Sequence, residues 1–162
     1  MPLWPKRKLA RPPPHRHSNP MAGQSKSADA TAGAIRATVD GTRLEVLETG
    51  VGRMAAILDL IAGAKSSLRL VFYIFANDEA GRKVRDALVN AAGRGVRVKL
   101  LLDGFGSSAA GPEFFQPIRD EGGNICLFLP SYGRRYLIRN HQKLVVADDS
   151  RAIIGGANVE SV

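Results

Sequence analysis

Two apolar, β-prone runs bracket a helical stretch, and this arrangement limits the possible folds more than any other feature of the chain. Leu68–Phe75 (L-R-L-V-F-Y-I-F) and Val96–Leu102 (V-R-V-K-L-L-L) read as strands, the first buried on both faces. Between them, Ala80 to Ala92 places Val84, Leu88 and Ala91 at helical spacing, with Gly93 or Gly95 to end it. The alternation continues on either side. Arg43–Leu47 reads as a strand, and Gly52 to about Ala64 puts Met54, Ile57, Leu58 and Ile61 on one helix face. Pro112 suits the first turn of a short helix to about Asp120, although Pro117 sits awkwardly inside it. Ile125–Leu129, Lys143–Val146 and Ala152–Ile154 are three more strands, the last two joined by a turn at Asp148-Asp149-Ser150. Strands alternating with helices predict an α/β fold: a mixed, partly parallel sheet flanked by helices. In such sheets ligands bind near strand ends, where loops supply the polar groups.

At 162 residues the chain has the length of one domain and can bury a core without disulfides. The single cysteine excludes an intrachain disulfide and a cysteine-based zinc site; its place in the apolar run Ile125–Leu129 predicts a small core residue. The net charge of +8 is unevenly spread. Residues 1–40 hold seven basic side chains and two acidic ones, leaving +3 for the rest. With Pro12-Pro13-Pro14 and few large apolar side chains, residues 1–40 read as a disordered basic tail, and residues 41–162 as the folded domain. Met21 reads as an alternative or true translation start. His15 and His17 lack a further ligand nearby, so no metal is expected there. No stretch approaches the ~18 apolar residues of a membrane span, and no apolar run follows the basic N-terminus as a secretory signal requires. These features predict a cytoplasmic protein or one peripheral at the membrane, with the tail as the candidate for contact with anionic lipid.

The segment R-N-H-Q-K-L-V-V-A-D-D-S-R-A-I-I-G-G-A-N carries the chemistry. His141 and Lys143 are two apart, so on a strand they project from one side while Leu144 and Val146 face the core. A neutral imidazole is a competent nucleophile, and an ammonium beside it is a fixed charge for an anion. Gly155-Gly156 lets backbone approach a bound group, and Asn158 offers an amide donor. Pairing of the two strands brings Asn158 back near His141. The set suits an anionic substrate with a nucleophilic step and needs no metal or other cofactor.

His141, Lys143, Asp148, Gly155, Gly156 and Asn158 fill every fixed position of H-x-K-x4-D-x6-G-[GS]-x-N, and the chain thereby resembles the phospholipase D superfamily. V-F-Y-I-F-A-N-D-E-A-G-R-K-V-R-D-A-L-V-N-A-A-G-R-G-V-R-V-K-L-L-L-D-G-F-G-S resembles the first sheet-and-helix unit of bacterial cardiolipin synthases and related phosphatidyltransferases. R-N-H-Q-K and the Gly-Gly form are similar to the first of that family's two motifs. The resemblance implies a phospholipase D-type half. His141 would form a covalent phosphohistidine, and Lys143 and Asn158 would stabilise the phosphoryl oxygens. A histidine of a second half-site would protonate the leaving alcohol. Asp148 either orients a neighbour or serves the turn it occupies; Gly155 and Gly156 act as spacers at the substrate, with Arg139 beside them.

The chain holds one such motif, which leaves two expectations: the first half of a longer two-motif enzyme, cut short, or a chain that pairs with itself. Phosphodiester hydrolysis or phosphatidyl transfer on a phospholipid headgroup leads. A homodimeric nuclease with nucleic acid as partner, a silent fragment, and a chance motif are the alternatives. Asp103-Gly-Phe-Gly106-Ser-Ser-Ala109 mimics G-x-G-x-x-A, but the next helical signal waits until Pro112, so a glycine-rich loop is expected, with Asp103 at the rim of the site. Tyr73 reads as core or as a pocket wall. Arg134, Arg135 and Arg139, interleaved with Tyr132 and Tyr136, read as a solvated loop or a phosphate-attracting rim.

Overall fold

The computed structural model describes residues 35–128 and 140–161. Its first feature is a hairpin. Asp40 and Gly41 both take positive φ, 48° and 77°, as a two-residue turn demands, and they join β1 (Arg36–Val39) to β2 (Thr42–Glu45). The pairing is antiparallel, with Val39 opposite Thr42. The expected boundary between residues 40 and 41 therefore falls inside a turn, and β1 lies within the stretch read as tail.

Thr49 then caps α1 (Gly50–Ala62), its Oγ1 accepting from Gly52 N at 3.0 Å. Ile57 and Ile61 are buried on the face that their spacing predicts, joined by Leu60. β3 (Ser67–Phe72) follows, and Asp78 caps α2 (Glu79–Gly93), accepting from Gly81 N at 2.8 Å. Val84, Leu88 and Ala91 of α2 are fully buried. β4 (Arg97–Asp103), two short 3-10 turns, α3 (Gln116–Asp120) and β5 (Asn124–Phe128) complete the first part. Pro117 is accommodated because it sits in the first turn of α3, where its missing N–H has no helical partner to lose. β6 (Leu144–Ala147) and β7 (Arg151–Ile154) form a closing hairpin.

The protein has an α/β fold with a mixed sheet in the order β5-β4-β3-β6-β7. β3 is the hub: it runs parallel to β4 and antiparallel to β6. Its partners fix which side chains share a face. Leu68 lies opposite Ala147 and Val98, and Leu70 opposite Val145 and Leu100. These six are buried in one core with the inner faces of α1 and α2. Each fully buried leucine there stabilises the fold by roughly 1.5–3 kcal/mol.

Three sequence expectations are corrected. β3 is not buried on both faces, because Arg69 is exposed and Val71 only half-buried. The core face of β6 holds Val145 and Ala147, while Leu144 and Val146 are half-buried on the other side. Cys126 is exposed, because β5 is the edge of the sheet among the described residues; its Sγ lies 3.1 Å from Asn124 Oδ1.

No helix among the described residues is long and apolar enough to cross a membrane.

Candidate active site

Beyond β3 the chain runs through Tyr73-Ile74-Phe75. Phe75 is fully buried and packs edge-on against Phe72 at 6.1 Å and Phe115 at 5.3 Å between ring centroids. This anchor leaves Tyr73 half-buried at the end of the sheet. The loop after β4 holds Tyr73 from behind. Ser107 Oγ donates to Tyr73 O at 3.0 Å and accepts from Phe75 N at 3.1 Å. Gly106 lies so close that a Cβ there would stand 2.3 Å from Tyr73 O and 2.9 Å from its ring, so only glycine fits. Asp103, itself buried, turns this loop by accepting from Phe105 N and Gly106 N, each at 3.0 Å. Its second oxygen accepts from Asn140 N at 2.9 Å, which tethers the residue before His141. The D-G-F-G segment is thus a glycine-rich loop, as expected.

The motif assembles on this platform. The His141 ring stacks on Tyr73, with centroids 4.0 Å apart and planes 18° from parallel. Lys143 Nζ lies 5.4 Å from the centroid of the same ring and donates to His141 O at 2.7 Å. Asn158 arrives from β7: its Oδ1 accepts from Ile74 N at 3.3 Å, and its Nδ2 donates to Glu160 Oε1 at 2.9 Å. Its neighbour Val159 is stitched beside Phe75, by Val159 N to Ile74 O and Ala76 N to Val159 O. Ser161 N donates to the capping residue Asp78. Desolvation works to raise the Asp78 carboxyl pKa, but N–H donors from Gly81 and Ser161 outweigh it and hold the group below its ordinary value.

His141, Lys143 and Asn158 therefore share one two-residue platform, Tyr73-Ile74. An exposed imidazole, an ammonium and a carboxamide are groups able to act as a nucleophile and as donors to anionic oxygens. Gly155 and Gly156 line a cleft beside Lys143 and Asn158. A Cβ on either would meet nothing within 4 Å, so the room they leave is not filled by this chain.

Asp148 does not join this group. A strand rises about 3.3 Å per residue, which puts Asp148 roughly 16 Å from Lys143 along β6. Its carboxylate accepts from Ser66 N at 2.8 Å, Lys65 N at 2.9 Å and Ser67 N at 3.0 Å. The N–H groups of Ser67, Ser66 and Lys65 hold its carboxyl well below the usual carboxylate range. Of the two roles open to Asp148, these bonds supply the structural one, fastening the entrance of β3. Arg139, with Arg134, Arg135, Tyr132 and Tyr136, lies outside the described residues.

Sequence reasoning leaves Tyr73 undecided, places Asp103 only at the rim, names the loop of Gly106 and Ser107 without its contact to Tyr73, and misses Glu160. The faint signal for the loop was D-G-F-G-S directly after a strand.

A strand-and-loop site of this kind on a mixed sheet defines a phospholipase D-like domain, and comparison with known proteins agrees. The family model described as "Cardiolipin synthase, PLD-like domain" matches residues 57–161, and the chain belongs to that family. It is 38% identical over 120 residues to the major cardiolipin synthase ClsA of Bacillus subtilis, covering 72% of this chain and 25% of that protein. Cardiolipin synthase B of Salmonella typhimurium is 36% identical over 124 residues, covering 74% of this chain and 30% of that one. The chain thus spans about a quarter of the length of such relatives. Among solved structures, the phospholipase D family member Nuc from Salmonella typhimurium aligns with a TM-score of 0.49 and 28% identity, over 65% of this chain and 64% of that one.

Proposed function

We propose that this domain is one half-site for cleaving or transferring the phosphodiester of a phospholipid. The observation that carries this reading is the gathering of His141, Lys143 and Asn158 on Tyr73-Ile74. In the first step an imidazole nitrogen of His141 bonds to phosphorus as the phosphorus–oxygen bond to the leaving alcohol breaks. A histidine of a second half-site, in the same polypeptide or in a second copy, gives its proton to that alcohol. In the second step water or an acceptor alcohol attacks phosphorus, yields its proton to the same group, and releases His141. Lys143 Nζ and Asn158 Nδ2 hold the non-bridging oxygens throughout. Arg139, close before His141 in sequence, adds positive charge for the incoming headgroup, and the contact with membrane is peripheral.

The test is hydrolysis of a chromogenic phosphodiester by the assembled enzyme, with the protein acid-quenched during turnover for intact mass. His141→Ala abolishes both turnover and the phosphoryl adduct. Lys143→Ala lowers kcat by about 10²–10³, the usual cost of losing one donor to a developing charge. An adduct that persists in His141→Ala overturns the assignment.

A further inference from the structure

Glu160 stands two residues beyond Asn158, outside the fixed positions of the motif, and the proposed reaction gives it no task. It is exposed and lines the same cleft as Lys143 and Arg53, yet among the described residues it forms no ion pair. Its carboxylate is given to a neutral amide instead: Oε1 accepts from Asn158 Nδ2 at 2.9 Å. The backbone on either side is fastened without it. Val159 N donates to Ile74 O at 3.1 Å, and Ser161 N donates to Asp78 Oδ2 at 2.6 Å. The fold here does not depend on the Glu160 side chain, whose hydrogen bond bears on Asn158.

That bond decides which way the Asn158 amide points. The amide oxygen accepts from Ile74 N at 3.3 Å, and a backbone N–H can only donate. A carboxylate can only accept, so Glu160 must meet the amide nitrogen. A flipped amide would set donor against donor and acceptor against acceptor. Asn158 Nδ2 thus gives one N–H to Glu160 and has a second for an anion in the cleft. The two N–H bonds diverge by roughly 120°, so with each partner ~2.9 Å away an anionic oxygen on the second lies ~5 Å from Glu160 Oε1. At that distance in water, an added negative charge on the ligand costs about fourfold in binding.

We propose that Glu160 is a positioning and specificity-determining residue. It aims the Asn158 amide at the phosphate, and its charge favours a monoanionic phosphodiester over a dianionic phosphomonoester. The inference rests on the function proposed above and adds the charge state that the site selects. The selection also serves turnover: hydrolysis converts a diester into a monoester, and the carboxylate that tolerates the one speeds the departure of the other.

The experiment follows the full chain by amide NMR while dimethyl phosphate or methyl phosphate is added. It is run at about pH 8, above the second phosphate pKa of ~6, so the ligands carry one and two negative charges. The Asn158 side-chain amide is assigned by its loss in Asn158→Ala. The unaltered chain binds the diester at least as tightly as the monoester, and both ligands shift that amide. Glu160→Gln keeps an acceptor for Nδ2 but drops the charge, so the monoester gains on the diester by about threefold or more. Glu45→Gln removes a carboxylate that lines the same cleft but is paired with Arg36, and it leaves the ratio of affinities unchanged. Glu160→Ala also releases the amide, whose two N–H resonances move toward those of a solvated amide while diester affinity falls. A ratio that Glu160→Gln leaves unchanged, or that Glu45→Gln alters as much, overturns the charge selection and leaves the phosphate site standing. An Asn158 amide unmoved in Glu160→Ala overturns the positioning. If neither ligand shifts the amide, or Lys143→Ala leaves both affinities as they were, the phosphate reading falls and this one with it.

Discussion

Tyr73 stands in the middle of an apolar run, yet its ring lies flat against His141 rather than in the core. Its carbonyl is held by Ser107 and its ring is crowded by Gly106, so the stack has a rigid backing. Stacked aromatic pairs contribute ~0.5–1.5 kcal/mol beyond area burial. If that energy fixes the angle at which the imidazole meets phosphorus, Tyr73 is a positioning residue. Tyr73→Leu then lowers kcat by up to about tenfold, the equivalent of ~1.4 kcal/mol, with KM nearly unchanged. Tyr73→Phe keeps the ring and restores kcat to within about twofold of the parent. Steady-state kinetics on both variants decide it: equal losses would assign the effect to the hydroxyl, and a rise in KM alone would make Tyr73 a substrate contact.

At the scale of elements, β6 connects two ends with separate duties. Lys143, just before it, lines the cleft; Asp148, just after it, fastens residues 65–67 to the sheet. The bonds that depress the Asp148 carboxyl are made in the folded state, so they stabilise the fold above the ordinary value of 3.8, and this contribution is lost as pH falls below it toward the depressed folded value. Asp148→Asn tolerates the same positive φ of 54° but gives up the charge. Denaturant unfolding from pH 7 to pH 2 therefore shows the variant less stable at neutral pH, with the gap narrowing below about pH 4. A gap independent of pH would deny the carboxylate its part. The helices and most strands were legible from residue spacing, because 3.6-residue and 2-residue periods survive in any context that buries one face. The face of β6 was not. Lys143 precedes the strand instead of belonging to it, and the pairing of Val145 with Leu70 chooses the inward side. Cys126 failed for a similar reason: being at an edge is a property of the whole sheet. Asp40-Gly41 is itself a hairpin signal in the sequence, with β-prone residues flanking it on both sides.

For the whole molecule, the spacing of the motif was enough to gather His141, Lys143 and Asn158, because a tight hairpin leaves few ways to place residues before and after it. What the spacing did not contain was the platform. Tyr73, Asp103 and Ser107 come from two distant strand ends, and only the parallel pairing of β3 with β4 brings those ends together. The platform presents one imidazole among the described residues, since His141 is the only histidine there. In the proposed mechanism one imidazole cannot be bonded to phosphorus and protonate the leaving alcohol in the same step, so that mechanism calls for a second proton donor. If a second copy of this chain brings it, the rate rises with the square of protein concentration when dimers are scarce and becomes linear once they saturate. Mixing His141→Ala with unaltered chain then lowers the rate beyond simple dilution, because mixed pairs lack either the nucleophile or the acid. If the donor lies on a different half, the isolated chain is silent at every concentration, and adding that half as a separate polypeptide restores turnover in proportion to the complex formed. A rate linear in concentration from the lowest measurable level, with unaltered and variant chains contributing independently, would mean that one copy completes its own site and would overturn the half-site.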